Sequence, residues 1–329
     1  MSASENNPEL PDQLDFPTEK GEFVRWESQF RNWITPNGNA GPTGVGGFQA
    51  EAGRYHLYVS YACPWAHRTL IFRKLKKLED VISVSVVNPK MGHESWDFGD
   101  YPAATGDLLH QSKFMYELYR IADPTYDRVV TVPVLWDKKQ NTIVNNESSE
   151  IIRMLNSAFN DIAAESSDFY PAHLQKEINE VNQFVYDNIN NGVYKTGFAR
   201  SQKAYEKAFK HLFGALDELE KRLDNQPYLV GEQLTEADWR LFPTLVRFDA
   251  VYVGHFKCNL RRIDDYPNLA NYLRELYQYP GIAETVNMDH IKTHYYWSHD
   301  GINPTRIVPV GPALDLTCSH NRAEKFSKK

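Results

Sequence analysis

The chain has 329 residues, of which 42% are hydrophobic and 24% charged, the composition of a soluble globular chain of about two domains. A net charge of −7, from 43 acidic against 36 basic residues, argues against a general nucleic-acid or anionic-membrane surface, and no run of about 18 apolar residues offers a membrane-spanning helix. Three cysteines, Cys63, Cys258 and Cys318, are too few and too odd in number for a disulfide framework and point to a reducing compartment. The polar start Met1–Asn7 lacks an apolar signal core, so the cytoplasm is the expected location.

Residues 1–53 carry turn signals at Pro36-Asn37-Gly38 and Gly41–Gly47 with few periodic runs between them, and read as a long extension. Residues 54–160 read as an α/β unit. Its first strand is Tyr55–Ser60, its first helix runs from Pro64 to about Leu78, and its second strand is the β-branched run Val81–Val87. A polar insertion from Asn88 to about His110 precedes a helix near Gln111–Ile121, with Phe114, Leu118 and Ile121 on one face. Val129–Trp136 reads as the third strand and Thr142–Val144 as the fourth. Pro133 lies inside the third, which marks either an edge strand or a special site, because proline cannot donate to a ladder.

Asn145–Glu150 opens a helix with Ile151, Ile152 and Leu155 on its apolar side. A linker from the 160s to Tyr170 then leads to an all-helical region, residues 171–297, with helices expected near 172–190, 201–224, 236–251, 266–278 and 281–293. Thr235-Glu236-Ala237-Asp238 has the form of a capping box. The tail, residues 298–329, is rich in proline and glycine and is expected to wrap the surface and fray at Lys328-Lys329.

Cys63 stands between the first strand and the first helix, at the N-cap, with Pro64 at the first helical position where its missing N–H is harmless. Free N–H groups and the positive end of the helix dipole favour an anion there, so the thiol is expected to have a lowered pKa. The fourth position of the motif is Ala66 rather than cysteine, so a mixed disulfide on Cys63 must be released by an outside thiol, which in a cell points to glutathione. The alternative is an inert buried cysteine. Strand, Cys-Pro and helix together suggest a thioredoxin-like domain, and that pattern predicts a cis Val132–Pro133 bond, with the Val132 backbone free to pair with a bound peptide. Glu147 and Ser148, in the first turn of their helix, read either as capping residues or as a receiver for a peptide carboxylate.

The segments Cys63-Pro64-Trp65-Ala66-His67-Arg68, Ser83–Pro89, Pro42-Thr43-Gly44, Thr131–Asp137, Asn191–Lys195, Leu234–Asp238, Val246–Tyr252 and Pro280–Val286 together resemble the glutathionyl-hydroquinone reductases, the Xi class of the glutathione transferase family. The resemblance runs from about Phe23 to about Pro312. It implies a thioredoxin-like N-terminal domain, an all-α C-terminal domain, long terminal extensions and a homodimer. It also implies glutathione as substrate and reductant, with no metal. By the resemblance Cys63 is the nucleophile and Tyr194 the proton donor, while Tyr252 and Tyr295 close over the hydroquinone pocket. Glutathione is held by Trp96, by Val129, Val130, Thr131 and Val132, and by Glu147 (facing the γ-glutamyl ammonium) and Ser148 (facing its carboxylate). Relatives often carry an arginine where Val129 stands, whereas here Arg128 precedes it.

Competing readings are an omega-like thiol transferase or dehydroascorbate reductase, and a non-catalytic glutathione-binding module. His290 and His294, spaced i, i+4, read as a structural pair or as metal ligands. His67 and Arg68 read as added positive potential, as packed residues or as solvated ones. Cys258 and Cys318 lack the Cys-Pro context.

Overall fold

The computed structural model describes residues 10–327; Met1–Asn7 and the Lys328-Lys329 end, on which expectations were stated above, lie outside the described residues. The extension forms a small hairpin, β1 (Thr18–Glu19) with β2 (Glu22–Phe23). The main sheet has four strands: β3 (Tyr55–Val59), β4 (Ser83–Val86), β5 (Val134–Asp137) and β6 (Thr142–Asn145), in the order β4-β3-β5-β6. β3 runs parallel to β4, pairing Leu57 with Val84, and antiparallel to β5, pairing Leu57 with Leu135. Every residue of β3 and of β5 is buried, His56 and Asp137 included, as befits the two central strands of the sheet.

Three helices accompany the sheet: α1 (Pro64–Leu75), α2 (Met115–Ala122) and α3 (Ser148–Ser157). α1 packs against α3. α2 begins at Met115 rather than Gln111, because the Glu117 carboxylate accepts the Phe114 N–H at 3.0 Å and fixes the entry there. Its inner face is Met115, Leu118 and Tyr119, while Ile121 is exposed, which corrects the expected face. The third strand is also shorter than expected. Pro133 offers no N–H to a ladder, so β5 starts at Val134 and Val129–Val132 is left for another use. The Val132–Pro133 bond is cis.

The remaining helices are α4 (Gln175–Val185), α5 (Gly192–Gly197), α6 (Gln202–Asn225), α7 (Glu236–Arg247), α8 (Pro267–Gln278), α9 (Met288–Thr293) and the short α10 (Arg322–Phe326). π-helical turns follow α4 (Tyr186–Asn190), α7 (Phe248–Tyr252) and α9 (His294–Ser298). α6 buries Ala204, Ala208, Leu212, Leu216, Leu219 and Leu223 along one stripe. At the start of α7 Asp238 accepts the Thr235 N–H at 2.8 Å, completing the capping box, and also takes the Tyr272 hydroxyl at 2.7 Å, which ties α7 to α8. α7 packs against α1 and brings the helical region onto the sheet region. The tail folds over α8, where Gln278 donates to the carbonyls of Leu316 and Cys318 at 2.8 Å each. No helix among the described residues is long and apolar enough to cross a membrane.

Candidate active site

The turn from β3 into α1 is held on both sides. The Cys63 N–H donates to the Ser60 carbonyl at 3.2 Å, and the Cys63 carbonyl accepts the first helical bond from the His67 N–H at 3.0 Å. Cys63 is the N-cap residue in extended conformation and Pro64 is the first helical residue. From α7, the buried Arg247 donates to the Tyr61 carbonyl at 2.8 Å and to the Ala62 carbonyl at 2.9 Å. A third bond joins it to the His67 ring at 2.9 Å. The thiol itself donates to the Val132 carbonyl at 3.5 Å.

Burial pushes the Cys63 thiol up, and the N–H groups of Trp65 and Ala66 with the guanidiniums of Arg247 and Arg25 pull against it. The lowered pKa expected from the helix terminus is thus corrected: the helix donors act in the expected direction, but desolvation outweighs them.

Cys63 opens into a cavity of about 110 Å³. Trp96 and the whole stretch Val129, Val130, Thr131 and Val132 line it from the sheet side, and Tyr194 and Tyr295 line it from the helical side. An adjoining groove of about 420 Å³ holds Glu147 and Ser148 and shares Thr131, Val132, Trp65 and Arg25 with the cavity. Ten of the eleven residues anticipated for the site therefore lie on these two surfaces. Tyr252 does not. It is fully buried behind Tyr295, to whose hydroxyl its own hydroxyl is bonded at 3.0 Å. Tyr295 in turn meets the Tyr194 hydroxyl at 2.7 Å, so the three phenols form a chain with Tyr295 in the middle. Burial pushes all three up, which keeps them protonated and able to donate.

Glu147 caps α3, accepting the Ser149 N–H at 3.0 Å, the Ser149 hydroxyl at 2.9 Å and the Ser28 hydroxyl at 3.1 Å. Burial alone would raise its carboxyl. The two Ser149 donors, the Arg68 charge and Ser28 overcome that and hold it below the usual carboxylate range. Trp96 stacks on the His294 ring, with centroids 4.5 Å apart and planes at 23°. His294 is itself held by the Pro89 carbonyl at 3.0 Å. It is kept neutral by burial, which pushes it down to about 4.

His290 bonds to the Pro102 carbonyl at 2.6 Å, so each member of the i, i+4 pair has one ring nitrogen on a backbone carbonyl. No group of three or more potential metal ligands gathers among the described residues. His67 and Arg68 are buried and packed rather than solvated, His67 against Thr285 and Arg247, and Arg68 against Asn190. Arg128 reaches out to Gln29 at 2.9 Å and lines neither surface. Cys258 is buried and Cys318 exposed, and neither lines the cavity.

Sequence reasoning missed the extension's share of the site. Gln13, Phe16, Arg25 and Trp26 all line the cavity, and the Gln13 side chain accepts the Val130 N–H at 2.7 Å. The available signal was the clustering of Phe16, Phe23, Arg25 and Trp26 within a segment otherwise rich in turns. Arg247 was missed because nothing near it in the sequence marks a contact with the Cys63 turn.

The glutathione S-transferase N-terminal domain model matches residues 62–158 and the C-terminal domain model residues 202–275. The chain is 60% identical over 307 residues to glutathionyl-hydroquinone reductase YqjG of Escherichia coli, covering 93% of this chain and 94% of that one. It is 53% identical over 302 residues to glutathionyl-hydroquinone reductase PcpF of Sphingobium chlorophenolicum, covering 92% and 93%. Among solved structures, glutathione-bound YqjG superposes with a TM-score of 0.90 over 92% of this chain and 98% of that one at 60% identity. The Xi glutathione transferase of Phanerochaete chrysosporium gives 0.87 over 92% and 97% at 57% identity. With both halves of the fold matched and relatives of this identity spanning nearly the whole length, the chain belongs to the glutathionyl-hydroquinone reductases, the Xi class of the glutathione transferase family.

Proposed function

We propose that this protein reduces glutathionyl-hydroquinones to hydroquinones at the expense of glutathione, with Cys63 as the nucleophile. The observation that carries the reading is the meeting of Cys63, Tyr194 and Tyr295 on one cavity beside a polar groove, with no second cysteine on its wall. The Cys63 thiolate attacks the glutathione sulfur of the adduct. A sulfur–sulfur bond forms as the bond from sulfur to the aromatic carbon breaks, and the electron pair of that bond stays with the ring. The ring carbon takes a proton from the Tyr194 hydroxyl, which Tyr295 and then Tyr252 back as a donor chain. Hydroquinone leaves. A second glutathione gives its thiol proton back to the Tyr194 phenolate, and its thiolate attacks the mixed disulfide on Cys63, releasing oxidised glutathione and the cysteine thiolate.

Glutathione is bound along Trp96 and Val129–Val132, with its γ-glutamyl end in the groove. There the Glu147 carboxylate faces the ammonium and Ser148, at the start of α3, faces the carboxylate. In this scheme the 54–160 domain holds glutathione and the 171–297 domain supplies the phenols, while the described residues of the 1–53 extension cover the cavity and those of the 298–329 tail brace α8. Three unpaired cysteines support work in a reducing cytoplasm. A homodimer belongs to the same proposal, and light scattering checks it: the mass in solution should be twice the 38.0 kDa of one chain.

The test is turnover of glutathionyl-menadiol with excess glutathione, following hydroquinone release in the wild type and in Cys63→Ser. Release that disappears in the variant supports the assignment. No release from the wild type, with a disulfide substrate still reduced, points instead to a thiol transferase.

A further inference from the structure

Among the described residues one formally charged side chain lines the Cys63 cavity, and it comes from the N-terminal extension: Arg25. Its position is built. Nε donates to the Asn191 side chain at 2.6 Å. The guanidinium carbon lies 4.7 Å from the centre of the Trp65 ring, 4.6 Å from that of Tyr194 and 5.1 Å from that of Phe23. This aromatic box fixes the cation, yet Nη2 is buried with no hydrogen-bond partner. A buried N–H of a charged group left without an acceptor is costly, and such a cost is sustained where an anion is to be received.

The candidates for that anion narrow quickly. Tyr194 and Tyr295 are kept as neutral phenols by burial, and His294 and His299 on the same wall are kept neutral in the same way. Of the carboxylates in the adjoining groove, Glu147 is already engaged by Ser149 and Ser28 and Glu27 is exposed to solvent. The remaining acidic group on the wall is the Cys63 sulfur.

We propose that Arg25 is a positioning residue, the counter-ion that the extension supplies to the Cys63 thiolate, so that the 1–53 segment sets the reactivity of a nucleophile in another part of the chain. This deepens the reading of Cys63 as nucleophile and rests on it. Other groups also bear on the sulfur: Arg247 from α7, the Trp65 and Ala66 N–H groups from α1, and Tyr194 from α5, which meets the Tyr295 hydroxyl. His67 on α1 faces Arg247 and Thr285 and is kept neutral. Arg25 therefore adds to Arg247 rather than acting alone.

The test is the pH dependence of Cys63 alkylation by iodoacetamide, read by peptide mass, with Cys318 as the internal exposed reference. It is run on the full chain as wild type, Arg25→Gln and Arg25→Lys, with melting curves to confirm that each is folded. Removing an opposite charge beside a thiolate moves its midpoint up by about one pH unit, so Arg25→Gln should react about tenfold more slowly at neutral pH. Arg25→Lys should stay near the wild type. An unshifted Arg25→Gln curve overturns the proposal, and so does an equal shift in both variants, which would mean lost packing rather than lost charge. Alkylation needs no turnover, so a failure of the reductase reading would appear separately, as absent hydroquinone release from the wild type.

Discussion

Arg247 donates to the carbonyl of Ala62 at 2.9 Å, one residue ahead of Cys63. With its bonds to Tyr61 and His67, a single buried guanidinium from the helical region fixes the turn that presents the thiol. The sulfur is therefore placed by both halves of the fold.

Arg247→Met should remove these bonds and leave buried carbonyls without donors. Hydrogen bonds to charged groups are worth about 1.5–3 kcal/mol each and orphaned partners add to the loss, so we expect a destabilisation of more than about 3 kcal/mol by urea unfolding. Iodoacetamide reactivity of Cys63 should fall in the same variant at pH values where it remains folded.

Tyr194→Phe should separate two activities. Loss of a positioned proton donor typically costs about 10²–10⁴-fold, so release of hydroquinone from its glutathione adduct should drop by roughly that factor. Reduction of a simple mixed disulfide, whose leaving thiolate needs no proton from a phenol, should be nearly unchanged. Tyr252→Phe removes the hydroxyl bonded to Tyr295 and does not touch the cavity, so it should have a smaller effect in the same assay.

The pH profile of the first half-reaction follows from Cys63. Its thiol is pushed up by burial, so the thiolate fraction is small at neutral pH and grows as pH rises. The single-turnover rate should climb toward alkaline pH, because the buried thiol is pushed up from its ordinary value. A plateau already complete at pH 6 would contradict this.

Acid should destabilise the fold through its buried histidines. His56 and His294 are pushed down to about 4 and His255 to about 3, while His67 and His299 lie well below their ordinary value, burial being the leading cause in each. In the unfolded chain they bind protons near pH 6.5. Below that the unfolded state holds more protons, so stability falls as pH drops, by up to about 1.4 kcal/mol per pH unit for each fully neutral histidine. Urea unfolding at pH 7, 6 and 5 should show a steep loss, and His255→Gln should flatten it.

Much of this was legible in the chain itself. The Cys63-Pro64 helix start and the buried strand Tyr55–Val59 follow from local pattern, and so does the Thr235–Asp238 capping box. Where local pattern misled, a side-chain or backbone detail had taken over. Pro133 cut the third strand short, Glu117 delayed α2, and Gly192 and Gly197 disguised α5. The long-range members of the site left no local trace. Arg25 is 38 residues before Cys63 and Arg247 is 184 after it in the sequence, and only the folding of the extension and of α7 onto the sheet brings them to the sulfur.

The most direct test of the account is a single turnover without free glutathione. One equivalent of glutathionyl-menadiol is mixed with the protein, and the cysteine-containing peptides are weighed by mass spectrometry. The account predicts one equivalent of menadiol released and one glutathionyl unit on Cys63, removed again by added glutathione. Menadiol release without that adduct, or an adduct on Cys258 or Cys318 instead, would contradict it.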